Sequence, residues 1–418
     1  MPSVAVVSVD IWVKAGAVND SDQAVGMAHF LEHMIFKGTE AIAAGEFDLL
    51  IESDGGTSNA ATSHDYVHYS FTVNASRLAV TLPYLCQMLL HAKIDDAELE
   101  QERLVVLEEL SQGVDDPDWK AHQHLMQSVY GEHSYSRPVI GTEEMINEIT
   151  AEQMREYHRS HYRPEQMTVA IAGAVNREDA IKIVDAAFAS ANSYGSIGGK
   201  IGQGLASAAN SQNITVAERL NLAQPSQRNY RHTIVSSQVQ HSRLNLAWIG
   251  ADIQQIEEAI WLELVANILT EGRSSRLIRE LREELGWVLD IDSSFALRQE
   301  AGVFTISAYL EGDRLELVES KIISQIQDLI DQPIAISELN KAKRSLCNQF
   351  TFSLEAPSQV ASFLGYYSLM GCENLCSNWS TAYCEIIRQA QPMDLQALVK
   401  KYLAPDAYVV TNVIPAIS

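Results

Sequence analysis

The sequence predicts an α+β protein built as two similar halves, on three observations. Strand-like and helix-like stretches alternate through residues 1–192 and recur in loosely the same order through 221–418. Between them, residues 193–220 fall in a stretch that opens as SANSYGSIGGKIGQGLASAANSQN, rich in Gly, Ser, Ala and Asn and without hydrophobic periodicity, as linkers are. At 418 residues the chain is also longer than one hydrophobic core ordinarily serves. An internal duplication accounts for all three.

The elements follow in order. An alternating apolar run over 4–13 (VAVVSVDIWV) reads as a strand, ended by the turn Lys14-Ala15-Gly16-Ala17. Ser21 and Asp22 are N-cap candidates for a helix over 24–36. A second helix over 40–52 ends at Asp54-Gly55-Gly56, followed by strands over 57–62 and 66–73 and a helix over 78–92. Residues 96–113 (DAELEQERLVVLEELSQG) are strongly helical. Leu104, Val105, Val106 and Leu107 argue that this helix is well buried, with Glu100 and Glu108 solvated. Asp115-Asp116-Pro117-Asp118 breaks the pattern before another helix from 119. A helix over 151–161, a strand over 167–173 and a helix over 177–188 complete the first half. The second half reads as a strand (243–249), a helix (255–269), the segment 274–284, strands (288–296, 302–310) and a helix (315–329). Helices over 337–354, 357–370 and 380–389 precede a last helix–strand pair, 393–402 and 407–413.

Composition narrows the function. With 30 Lys+Arg against 54 Asp+Glu, the net charge of −24 disfavours nucleic acid and anionic membrane surfaces and favours neutral or basic ligands. No apolar run reaches the ~18 residues that span a bilayer. The start has no basic segment followed by an apolar one, so no secretory signal is read there and the expected location is cytoplasmic. Five scattered cysteines, Cys86, Cys347, Cys372, Cys376 and Cys384, fit a reducing compartment better than a disulfide framework.

The chemistry concentrates at His29-Phe30-Leu31-Glu32-His33. On a helix, positions i and i+4 share a face, so His29 and His33 can bind one Zn²⁺ together at ~2.0–2.1 Å. Glu32 lies on an adjoining face, within reach of a water at the metal without being a ligand. This is the inverted zincin pattern. A catalytic zinc normally needs a third protein ligand. The helix over 96–113 offers Glu102 and Glu109, two turns apart on one face, but a solvated acidic face has the same spacing, and periodicity leaves both readings open. His64 and His68 fall on a strand, where such residues lie ~13 Å apart, and His122 and His124 point to different faces of a helix. These four read as surface or packing residues. The corresponding helix of the second half, IEEAIWLELVANIL, has no histidine.

HFLEH at 29–33, GGTSNAATSHDYVHY at 55–69, ERLVVLEEL at 102–110 and SRPVIGTEE at 136–144 occur in an order that resembles the pitrilysin-like M16 metallopeptidases, in their shorter, processing-peptidase-like branch. The resemblance implies the pitrilysin fold: two homologous domains, each a mostly antiparallel sheet packed against helices, with only the first carrying metal. It implies zinc bound by His29, His33 and Glu109, with Glu102 buttressing the site and Glu32 acting as general base. Asn59 and Ala60 match the edge-strand segment that pairs with an extended peptide.

The resemblance also marks a departure. Arg282 matches an arginine that, with a tyrosine seven residues on, binds the substrate carbonyl and developing oxyanion in the family. Here position 289 is Leu289, a shifted alignment offers Trp287, and no tyrosine occurs between Gly286 and Ala308. The expected assembly is therefore a heterodimer with a related subunit that lacks H-x-x-E-H and supplies the arginine–tyrosine pair. A homodimer is the runner-up. Acidic residues that read arginine near the cleavage site in mitochondrial relatives are replaced by Trp119 and Gln123, so that specificity is not expected. The implied function is a zinc endopeptidase subunit cleaving extended peptides or unfolded segments. The alternative is a non-catalytic core or assembly subunit of a complex.

Overall fold

A computed structural model describes residues 5–194, 230–311 and 314–416. The described chain forms two compact units. The first holds the residues up to Leu110, those over 138–194 and Leu354–Gly371; the second holds Ser111–Arg137 and the residues over 230–353 and 372–416.

In the first unit, strands β1 (Val6–Val13), β2 (Thr57–Thr62), β3 (Val67–Asn74) and β4 (Met167–Gly173) form a sheet in the order β2-β3-β1-β4, every neighbour antiparallel. The period of two sends Val7, Val9, Ile11 and Val13 to one face, together with Val67, Tyr69, Phe71 and Val73, all buried. Helices α1 (Met27–Ile35) and α2 (Glu46–Ser53) meet this face through Phe36 against Tyr69 and Phe47 against Phe71. Helices α3 (Leu78–His91) and α4 (Asp96–Asp115) follow in the chain. The other face of β1 carries Ser8, Asp10 and Trp12, and the helix Pro357–Leu369 covers it. Gly365 permits that approach: a Cβ at this position would lie 2.2 Å from Nε1 of Trp12.

In the second unit, β5 (Arg231–Ser236), β6 (Ser242–Ile249), β7 (Asp290–Ala296), β8 (Val303–Leu310) and β9 (Val409–Pro415) form a sheet in the order β5-β9-β6-β8-β7. Only the β5–β9 pair is parallel. Helix α5 (Pro117–Tyr130) packs on β5, β6 and β9, with Ala121 against Val413 and Val239. The predicted break at 115–118 is where α5 begins: Asp116 accepts the Asp118 N–H at 2.9 Å and Pro117 takes the first turn. Both units are thus α+β, each a mostly antiparallel sheet packed against helices.

Several features differ from the sequence reading or go beyond it. The expected helix over 40–52 starts only at Glu46, because the Thr39 hydroxyl accepts the Ala41 and Ile42 N–H groups at 3.0 Å each and Gly45 turns the chain at φ +77. The segment 274–284 contains a π-helical turn, Ile278–Glu284. The contiguous halves, 1–192 and 221–418, differ from the observed units by two exchanged segments, 111–137 and 354–371. Each supplies a helix that buries apolar side chains on a sheet of the other half of the sequence. The expected linker, 193–220, lies outside the described residues from 195 onward.

Candidate metal centre

Helix α1 presents the motif. Its start is not capped by Ser21 or Asp22: Gly26 is the N-cap at φ 99, and the buried Asp20 carboxylate accepts the N–H groups of Gly26 at 2.8 Å and Ala28 at 3.0 Å. Asp20 thus reaches from the preceding loop to satisfy N–H groups at the helix start. Met27, Phe30, Leu31, Met34 and Ile35 occupy the buried stripe. His29, Glu32 and His33 fall on the remaining, half-buried face.

Helix α4 brings the third donor. Its interior side is Leu99, Glu102, Arg103, Val106 and Leu110, whereas Leu104 and Val105, expected inside, are 68% and 50% exposed. Two polar residues take the buried positions because each has partners there. Arg103 donates to the backbone carbonyls of Ile146 and, at 2.8 Å, Ile149. Glu102 accepts from His33 Nδ1 at 2.9 Å and pairs with the Lys37 ammonium. Glu109, two turns on, lies 3.7 Å from Nε2 of His29 and 3.4 Å from Nε2 of His33.

The geometry fits a metal. Donor atoms of His29, His33 and Glu109 lie within 4.8 Å of one another, the sole such cluster among the described residues. Ligands at ~2.0–2.1 Å from a tetrahedral zinc lie roughly 3.4 Å apart, close to the two imidazole–carboxylate separations. The Glu102 contact fixes the proton of His33 on Nδ1 and leaves the Nε2 lone pair facing Glu109. Two imidazoles and a carboxylate are also a donor set that catalytic zinc uses.

Without metal, these groups shift one another's titration. Burial, reinforced by His33 and opposed by Glu109, lowers His29 to about 4, so it is the neutral imidazole a metal requires. Burial alone would lower His33 as well, but Glu109 and Glu102 together raise it. Proximity to His33 lowers Glu109, against the raising effect of its partial burial. Burial raises Glu32, against the opposing effect of a hydrogen bond from Thr62, whose Oγ1 donates to Glu32 Oε2 at 2.5 Å.

Asn59 and Ala60 lie on β2, which among the described residues is an edge strand paired only with β3, where Ala60 faces Tyr69. Arg282 lies in the second unit, held to Asp290 at 3.1 Å and Glu283 at 3.2 Å. Leu289 is 47% exposed, and its N–H donates to the Tyr309 carbonyl at 2.7 Å. His68 is a packing residue, one of the two readings expected of it. Its Nδ1–H donates to the buried Asp10 carboxylate at 3.0 Å, and its ring stacks on Trp12 at 4.4 Å. Thr62 and Lys37 escaped the sequence reading. Lys37 had a usable signal, standing one turn beyond His33, whereas Thr62 is brought to Glu32 only by tertiary packing.

Residues 1–143 match the family model described as Insulinase (Peptidase family M16), and residues 148–346 match the Peptidase M16 inactive domain. An uncharacterized zinc protease of Bacillus subtilis is 27% identical over 369 residues, covering 88% of this chain and 84% of the relative. Another, of Streptomyces coelicolor, is 26% identical over 404 residues, covering 96% and 84%. Among solved structures, a protease from Helicobacter pylori superposes with a TM-score of 0.86 at 22% identity, covering 98% of this chain and 94% of the other. The peptidase M16 inactive domain from Pseudomonas fluorescens gives 0.82 at 20% identity, covering 100% and 94%. These two likenesses concern the fold alone. With both parts matched in order along the sequence, the chain belongs to the M16 peptidase family, an insulinase-type region followed by the family's inactive domain.

Proposed function

We propose that this chain is the metal-bearing subunit of a zinc endopeptidase of the shorter, processing-peptidase-like branch, acting on extended peptides or unfolded segments. The observation that carries the reading is the convergence of His29, His33 and Glu109 beside a half-buried carboxyl, Glu32, that stays outside the donor set. A purely structural zinc has no use for such a group, since those sites close the fourth position with a protein ligand.

His29 and His33 would hold the metal through Nε2, and Glu109 through its carboxylate. When bound, zinc supplies Lewis acidity that activates water and polarises a carbonyl. Glu32 takes a proton from the attacking water and delivers it to the leaving amide nitrogen. Its raised proton affinity suits a group that must hold a proton between those two events. The free edge of β2, at Asn59 and Ala60, offers backbone N–H and C=O groups to an extended peptide. Such pairing selects an unfolded segment with little side-chain discrimination.

Leu289 cannot supply a phenolic O–H, and Arg282 is held by two carboxylates. A related subunit carrying the arginine–tyrosine pair would complete the reaction, which favours a heterodimer over a homodimer. Five free thiols accord with a reducing, cytoplasmic setting.

Metal analysis combined with a quenched-peptide assay tests the reading, first on the chain alone and then with candidate partner subunits. One zinc per chain, with cleavage only in the mixture, is the expected result. Zinc bound without cleavage in any pairing would sink the peptidase, and robust cleavage by the chain alone would sink the obligate heterodimer.

A further inference from the structure

We infer that Thr62 is a positioning residue for Glu32, tying the general base to the edge strand that receives the peptide; the inference rests on the peptidase reading above. The Thr62 hydroxyl gives its single proton to Glu32 Oε2 at 2.5 Å, and no other hydrogen bond is made to that carboxyl among the described residues. With Oε2 engaged, Oε1 is the oxygen free to accept a proton, and the plane of the carboxyl is set by a donor on another element.

That donor is well anchored. Thr62 is the last residue of β2, paired with Val67 of β3, and shares a strand face with Ala60. Immediately beyond it, the Ser63 N–H donates to the Tyr66 carbonyl at 2.8 Å. The Ser63 and His64 carbonyls in turn accept from Ala17 at 3.0 Å and Val18 at 2.9 Å. Gly16 lies so close that a Cβ there would sit 2.2 Å from the His64 oxygen. The strand end therefore has little freedom, and a β-branched side chain has little freedom at χ1.

The consequence is a shared reference frame. β2 carries Asn59 and Ala60, where an extended peptide would pair, and also the hydroxyl that orients the base. The carbonyl to be attacked and the group that deprotonates its attacker are placed by one strand. A misplacement of ~1 Å at such a centre costs on the order of 100-fold in rate.

Thr62→Val removes the hydroxyl at nearly constant shape, Thr62→Ala removes it with less risk of crowding, and Thr62→Ser retains it. Each variant is assayed as full-length chain with the same partner complement as wild type, for zinc content, kcat and KM, and a crystal structure of the zinc-loaded Val or Ala variant is compared with wild type. The expected result is one zinc per chain in every variant. The kcat of Val and Ala should fall ~100-fold with KM within about twofold, and Ser should stay within about threefold of wild type. In the Val or Ala crystals the Glu32 carboxyl should leave its wild-type orientation. Wild-type kcat in both hydroxyl-free variants, or an unmoved Glu32 in their crystals, overturns the inference. Failure of the peptidase reading looks different: zinc-loaded wild type that cleaves nothing. In that event the crystal comparison alone decides for or against Thr62.

Discussion

Glu102 touches no metal, yet its removal should weaken metal binding by a calculable amount. Its carboxylate accepts the His33 Nδ1–H at 2.9 Å and pairs with Lys37, on a side chain only 9% exposed. Glu102→Gln keeps the shape and an oxygen able to accept from His33, but it turns an amide donor onto the ammonium of Lys37 and removes the charge that favours the Nδ1–H tautomer. A charge-assisted hydrogen bond at a site this enclosed contributes ~1.5–3 kcal/mol. Water entering at Lys37 recovers part of that, leaving about 2 kcal/mol, or ~30-fold in Kd. This lies inside the 10–100-fold range typical of residues that support metal ligands. Competition against a zinc-binding indicator at neutral pH reads the change directly, and zinc-dependent protection against thermal unfolding provides a second measure. A Kd within threefold of wild type for both Glu102→Gln and Glu102→Ala would refute the reasoning and leave Glu102 a packing residue.

Glu32→Gln should retain one zinc per chain while peptide cleavage falls at least ~100-fold, as expected for loss of a general base; surviving turnover in the quenched-peptide assay would move that role elsewhere. Gly365→Ala should destabilise the protein by about 1–2 kcal/mol in urea titrations. The helix-propensity gain of ~0.5–1 kcal/mol is outweighed by a Cβ placed 2.2 Å from a Trp12 indole that is buried and stacked on His68. His158 is lowered to about 4, chiefly by burial, while its Nε2–H donates to the Leu89 carbonyl at 2.8 Å. Unfolded, it titrates near 6.5, so between these values the unfolded chain binds the extra proton and stability falls as pH falls. His158→Gln should flatten that dependence by up to ~3 kcal/mol across pH 7 to 4, measured as the pH dependence of denaturant midpoints in zinc-free protein.

Much of the fold and part of the site were legible in the sequence, for reasons that separate local from tertiary information. His29, Glu32 and His33 lie within one helical turn, so helix periodicity alone places them on adjoining faces. Glu109 depended on the order of segments along the chain, because its spacing is equally that of a solvated acidic face. The interior of α4 was misread at Leu104 and Val105. Hydropathy assigns the inside to aliphatics, whereas Glu102 and Arg103 occupy it with His33, Lys37, Ile146 and Ile149 as partners. Asp20 at the start of α1 and Thr62 at Glu32 are contacts between elements, and no local pattern announces them. The exchanged helices were visible as helices. Which sheet each would cover depends on the three-dimensional path of the chain.

That exchange imposes a schedule on the protein's own synthesis. His29, Glu32, His33, Glu102 and Glu109 have all been made once residue 109 is added, but the helix over Trp12 begins only at Pro357, about 250 residues later. At ~5–20 residues per second the interval is ~12–50 s. Throughout it, the Ser8–Asp10–Trp12 face of β1 lacks its cover, while the residues that would take zinc are already present. The first unit is therefore among the first parts begun and among the last completed. A chain cut between residues 173 and 357 carries the whole candidate metal site on a sheet with one bare side.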